Sequence, residues 1–127
     1  MTDAHNNNET GYVFVYGSLK HGYGNHSVLG ASSFISTATL DGYSMISLGA
    51  YPGIIPGDDT DTVRGEVYLV TDQDTMADLD CLEGHPDFYE RVRRVVTLHN
   101  GIRVSAWVYV LPEDEYSVYP SVSGGEW

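Results

Sequence analysis

Asn100-Gly101 constrains the fold of this chain more than any other feature, because such a dipeptide closes a two-residue turn whose twist matches a pair of antiparallel strands. The flanks agree with it. Residues 92–98 are rich in valine. Residues 102–110 alternate Ile102, Val104, Ala106, Val108 and Val110 on one face with Arg103, Ser105, Trp107 and Tyr109 on the other. Period-two patterning on both sides of a tight turn means a hairpin with one face buried, so antiparallel pairing is expected to dominate. Other strands follow the same style. Residues 12–16 form a short apolar and aromatic run closed by Gly17, and residues 63–71 form another. Residues 37–40 and 43–48 flank Asp41-Gly42, which reads as a second hairpin turn. Pro52, Pro56 and the glycines around them predict a loop over residues 49–61 at the rim of the sheet.

One helix interrupts the strands. Thr71 or Asp72 can cap its start, Asp74 suits the positive end of its dipole, and Gly84 followed by Pro86 ends it, which places it over residues 73–83. At about 100° per residue, Glu83 falls between Met76 and Leu79 on the apolar face, whereas Asp74 and Asp78 fall opposite. An ionised carboxylate on that face loses solvation at a cost of several kcal/mol unless something compensates. Three readings stay open at this point. The last turn can already face solvent, a salt bridge with Arg91, Arg93 or Arg94 can account for the charge, or the carboxyl can carry chemistry. Asp80 raises no such question and is expected to be dispensable.

Composition mainly excludes. The chain has 127 residues, 42% of them hydrophobic, enough for one domain with its own core and without disulfide staples. A formal net charge of -12 repels nucleic acid phosphates and anionic head groups, so neither nucleic acid nor a membrane surface is an expected partner. Residues 1–11 are polar and read as a disordered tail before a single domain over residues 12–127. They lack the basic start and apolar run of a signal peptide, and Cys81 stands alone; a cytoplasmic location is the expectation. Cys81 reads as packing rather than as a nucleophile. The five histidines show no zinc spacing, and neither phosphate-loop pattern is present, so no cofactor is expected.

The strand at residues 12–16 runs into Gly17-Ser18-Leu19. Exposed N–H groups of successive turn residues can form a concave receptor for a carboxylate, although by themselves these residues read better as a plain turn. Here the residues resemble a known family. VYGSLKHGYGNHSVLG near the amino end, GEVYLV in the middle, LDCLEGHPDFYERVRRVV and a closing SGGEW are similar, in order and spacing, to the gamma-glutamylcyclotransferase-like superfamily. The pairing of YGSLK with NHSVL looks most like its gamma-glutamylamine cyclotransferase branch.

That resemblance implies an α+β fold: a small mixed, largely antiparallel β-barrel with flanking helices and a cavity at the loop end. It implies a small-molecule gamma-glutamyl substrate, converted to 5-oxoproline and a free amine without a cofactor. Glu83 falls on the family's catalytic glutamate, and Tyr16, Gly17, Ser18 and Leu19 on the loop that holds the glutamyl end. Asn25 is expected to shape the pocket or to make a simple loop hydrogen bond, Tyr89 to be a pocket wall or a core aromatic, and Arg91 to be structural; Tyr116, Tyr119 and Trp127 read as surface packing by default, with lining or covering the cavity as the alternative. The competing expectations are a non-catalytic module of the same fold that binds a small acidic ligand, and an enzyme that removes a gamma-glutamyl group from a specialised metabolite or from glutathione. No feature of the sequence sets an oligomeric state.

Overall fold

The structure, a computed structural model, describes residues 11–17, 19–20, 22, 24–30 and 32–127. Most of the tail expected from the sequence lies outside these residues; Gly11 already belongs to the first strand. In chain order the elements are β1 (Gly11–Val15), a short 3-10 turn (His26–Leu29), β2 (Ser33–Asp41), β3 (Tyr43–Ser47), β4 (Pro52–Pro56), β5 (Thr62–Val70), α1 (Gln73–Glu83), β6 (Glu90–Leu98), β7 (Arg103–Val110), α2 (Glu113–Tyr116) and a last 3-10 turn (Ser123–Gly125). No helix among the described residues is long and apolar enough to cross a membrane.

Five strands close into a barrel in the order β1-β5-β2-β6-β7. All neighbours pair antiparallel except β1 and β7, which meet in parallel at Val13 and Trp107 to seal it. The Asn100-Gly101 hairpin forms as its sequence predicts, with Leu98 N donating to Ile102 O at 2.8 Å and Gly101 N to Leu98 O at 2.9 Å. Alternation then sorts the side chains. Phe14, Val63, Val67, Val96, Ala106 and Val108 form the interior cluster. Val13, Val15, Tyr68, Val70 and Tyr109 point outward, where α1 covers them with Met76 and Leu79. A helix cannot fit inside five strands, so the side that meets α1 is the outside of the barrel.

Two expectations are corrected. Asp41-Gly42 does not close a hairpin: β2 pairs with β5 and β6, and β3 pairs with β4 in a separate two-stranded sheet. Gly42 is instead a corner. With φ at +83° it turns the chain out of the barrel, donating its N–H to Asp61 O and accepting from Gly57 N, both at 2.9 Å. Residues 49–61 are likewise not one loop, because Pro52–Pro56 is a buried strand paired residue by residue with β3. Its prolines occupy the two end positions, where the missing N–H costs least, so the Pro and Gly content signalled the ends of a strand rather than its absence.

Candidate active site

The residues singled out in the sequence converge where β1 ends, α1 ends and β4 passes between them. Tyr16 and Gly17 follow β1 directly. The chain then turns, with Lys20 N donating to Gly17 O at 2.9 Å, and the imidazole Nδ1 of His26 lies 2.9 Å from Leu19 O, tying the turn to the segment that Asn25 begins. Gly17 has a steric reason to be glycine. A Cβ there would lie 2.9 Å from Cγ of Pro52, well inside van der Waals contact, so the turn and β4 approach as closely as they do only without a side chain.

α1 runs over the range its caps predict. Asp72 is the N-cap, its carboxylate accepting from Asp74 N and Thr75 N, and Gly84 is the C-cap. Beyond Gly84 the chain folds back on the helix end: His85 N donates to Asp80 O at 2.9 Å, Phe88 N to Gly84 O at 2.8 Å, and Tyr89 N to Glu83 O at 3.3 Å. This return brings Tyr89 beside Glu83 before β6 starts.

Glu83 lies on the apolar face, as the periodicity requires, and among the described residues the arginine ion pair goes to Asp80 rather than to Glu83. Arg91 Nε lies 3.3 Å from Asp80 Oδ1, Arg91 and Arg93 sit over the Trp107 ring at 4.4 and 4.3 Å from its centroid, and Arg94 Nε donates to the Tyr43 hydroxyl at 2.9 Å. Of the open readings, a salt bridge is therefore removed. Burial pushes the Glu83 carboxyl up from its ordinary 4.5 to about 7. Asp80 is a structural junction, because it also accepts the Tyr109 hydroxyl at 2.7 Å. Arg91 has the structural place expected of it.

Three tyrosines surround the carboxyl and direct their protons elsewhere. Tyr16 OH donates to Tyr109 O at 2.7 Å, Tyr89 OH to Pro52 O, and Tyr109 OH to Asp80. All three phenols are pushed above their ordinary range, mainly by burial, with the charge of Glu83 adding in each case. They are neutral walls at any physiological pH.

Together these residues enclose a cavity of about 400 Å³, a size suited to a small metabolite. Tyr16, Gly17, Leu19, Asn25, Glu83 and Tyr89 all line it. Ser18, the remaining residue expected at the site, lies outside the described residues. The sequence reading missed Tyr51, Pro52, Leu82, Phe88 and Tyr109, which also line the cavity. Tyr51 and Pro52 were hidden by the loop assignment of residues 49–61. Tyr109 could have been found: it sits on the face of β7 opposite the valines, and an apolar-bodied residue there needs a cover. Tyr116 reaches the rim through Phe88, ring centroids 6.1 Å apart, and Tyr119 stacks on Tyr116 at 5.7 Å. Trp127 packs against the interior cluster instead and does not line the cavity. Cys81 is exposed, so it is neither the packing residue expected nor a wall of the site. Among the described residues no three His, Cys, Asp or Glu side chains gather into a possible metal site.

Residues 13–127 match the sequence profile of the family described as Gamma-glutamyl cyclotransferase, AIG2-like. A relative from Methanocaldococcus jannaschii is 41% identical over 104 residues, 80% of this chain and 85% of its own length. The gamma-glutamylcyclotransferase family protein YtfP of Escherichia coli K12 is 37% identical over 117 residues, 91% of this chain and 94% of its own. Among solved structures, an AIG2-like protein of Mus musculus superposes with a TM-score of 0.79 at 27% identity, covering 94% of this chain and 88% of that one.

Proposed function

This chain belongs to the gamma-glutamyl cyclotransferase, AIG2-like family, and from that premise we propose that it converts a gamma-glutamyl amine into 5-oxoproline and the free amine. The observation that carries the reading is the Glu83 carboxyl, held among Tyr16, Tyr89 and Tyr109 beside the turn after β1 and pushed up to about 7 by burial alone.

The substrate supplies its own nucleophile. Its alpha-amine attacks its gamma-carbonyl carbon, a five-membered ring closes, and the bond from that carbon to the departing nitrogen breaks. Because the nucleophile is tethered, the protein's main task is to hold one rotamer of the glutamyl chain, and a cavity of this size does so. Two proton movements remain. The attacking amine gives up a proton and the departing nitrogen takes one, so a single carboxyl within reach of both serves as base and then as acid. A carboxyl poised near neutrality is suited to both directions, whereas one at its ordinary value would be a poor acid. Gly17 and Leu19, with Ser18, are assigned the alpha-carboxylate through their backbone amides, while Asn25 shapes the mouth of the turn. Tyr89 walls the cavity and anchors β4 through Pro52.

The test is direct. Purified protein is incubated with gamma-glutamyl-epsilon-lysine, gamma-glutamyl-methylamide, glutathione and an N-acetylated gamma-glutamyl amine, and 5-oxoproline is followed by mass spectrometry. The methylamide, whose leaving amine carries no charge of its own beyond the nitrogen, is expected to react, the lysine conjugate to react more slowly, and the acetylated compound to be inert because its nucleophile is gone. Glu83→Gln should lower turnover on the order of 100 to 10,000-fold. Release of amine from the acetylated compound, or a Gln variant as fast as the parent, would sink the cyclisation mechanism. Selective turnover of glutathione would sink only the choice of a simple amine.

A further inference from the structure

The outer part of the cavity does not look like a receptor for the glutamyl half. Tyr51 and Leu82, 42% and 41% exposed, line the cavity at its solvent-facing part together with Phe88. Tyr51 meets Phe88 edge to face, at 6.4 Å and 86°, and Phe88 meets Tyr116 in the same way at 6.1 Å and 72°. The Tyr116–Tyr119 stack extends the rim, where Tyr119 is again 42% exposed. Large apolar side chains cost solvation when left in water; Phe34, Ile35, Val95 and Ile102 are exposed away from the cavity, but Tyr51 and Leu82 are exposed while lining it, where a bound group can cover them. A further aromatic ring can join this cluster edge to face or offset-stacked, the geometries aromatic pairs prefer.

Charge narrows what that group can be. None of the six Lys and Arg residues lines the cavity. Lys20 and Arg64 border a separate depression on the barrel, Arg91 and Arg93 lie over Trp107, Arg94 is bonded to Tyr43, and Arg103 is exposed on β7. Among the described residues, the acidic group lining the cavity is Glu83. A leaving amine that carried its own carboxylate would find no cation there and would be repelled by Glu83 once that residue ionised.

We propose that the mouth formed by Tyr51, Leu82 and Phe88 is the leaving-amine subsite, and that it selects an arylalkyl amine without a carboxylate over an amino acid or peptide. The favoured substrates are then gamma-glutamyl arylalkylamides. This rests on the cyclotransferase reading above and names the half of the substrate that reading leaves open.

The probes are gamma-glutamyl-phenethylamide, gamma-glutamyl-methylamide and gamma-glutamylglycine, compared by kcat/KM in the parent protein and in Tyr51→Ala. The aryl amide should exceed the glycine conjugate by at least about tenfold, within the range an apolar pocket can supply. Tyr51→Ala should lower the ratio of aryl amide to methylamide by about tenfold, mainly through KM, because an open-ended wall binds ground and transition states alike. Calorimetry of the aryl amide and the methylamide on the Glu83→Gln protein reads the subsite without turnover, and the aryl amide should bind at least about tenfold tighter. Turnover of the methylamide with no aryl preference, or a ratio unmoved by Tyr51→Ala, would overturn the subsite and leave the cyclotransferase reading standing. Tight aryl binding with no turnover of any compound would do the reverse.

Discussion

Replacing Glu83 by glutamine should make the protein more stable in alkali while removing its activity. In the unfolded chain the carboxyl ionises near its ordinary 4.5; in the folded protein burial moves this to about 7. Between those values the folded protein retains a proton that the unfolded chain has released, so unfolding releases a proton and stability falls as pH rises. Below 4.5 both states are protonated and the contribution is fully present; above 7 both are ionised and it is lost. At 1.36 kcal/mol per pH unit the loss amounts to about 3 kcal/mol, an upper figure because the cavity opens to solvent. Against a typical domain stability of about 5 to 15 kcal/mol this is a large fraction. Glutamine is neutral throughout and nearly isosteric, so it retains what the protonated acid has and never incurs the loss. Urea denaturation of both proteins from pH 4 to 8 isolates the effect, since every other titrating group is shared. With slopes of about 1 to 3 kcal/mol per molar, the variant's midpoint should exceed the parent's by up to about 1 to 3 M at pH 8 and converge with it at pH 4. Midpoint differences that stay constant across pH would mean that Glu83 is solvated, and the physical basis for its assignment would fail.

Gly17→Ala should keep the barrel, by circular dichroism, but displace Pro52 from its 2.9 Å approach, at a cost of about 1 to 3 kcal/mol and at least about tenfold in kcat/KM. A parent-like rate would mean that the turn and β4 need no such close contact. Asp80→Asn removes the anionic partner of Arg91, whose side chain is only 2% exposed, and so should destabilise by about 3 kcal/mol in chemical denaturation. A change near zero would show that Arg91 is held by Trp107 and its other neighbours without it. Cys81→Ala and exhaustive chelation should each leave most of the activity, since Cys81 is exposed and does not line the cavity. Activity lost to chelation and restored by a divalent cation would replace the mechanism proposed for Glu83.

What the amino-acid sequence determined by itself is what local chemistry settles. Asp72 and Gly84 bound α1 because a cap satisfies backbone groups within its own turn, and the hairpin at Asn100-Gly101 forms because its turn and alternating strands are neighbours in the chain. Periodicity likewise placed Glu83 beside Met76 and Leu79, since the helix that carries all three is local. Where partners lie far apart, the same kinds of signal misled. Asp41-Gly42 has the composition of a hairpin turn, but β2 joins β5 and β6 instead of folding onto β3, and these partners come together only when the whole barrel closes. Pro52–Pro56 reads as a loop until β3 is there to pair with it, and with that strand come Tyr51 and Pro52 as walls of the cavity. The environment of Glu83 was decided in the same way. Its helix face was legible, but the assignment of Arg91 to Asp80 and the gathering of Tyr16 after β1, Tyr89 before β6 and Tyr109 on β7 depend on segments distant in sequence meeting at one end of the barrel. Strand pairing and desolvation are properties of the assembled surface, so no window of neighbouring residues contains them.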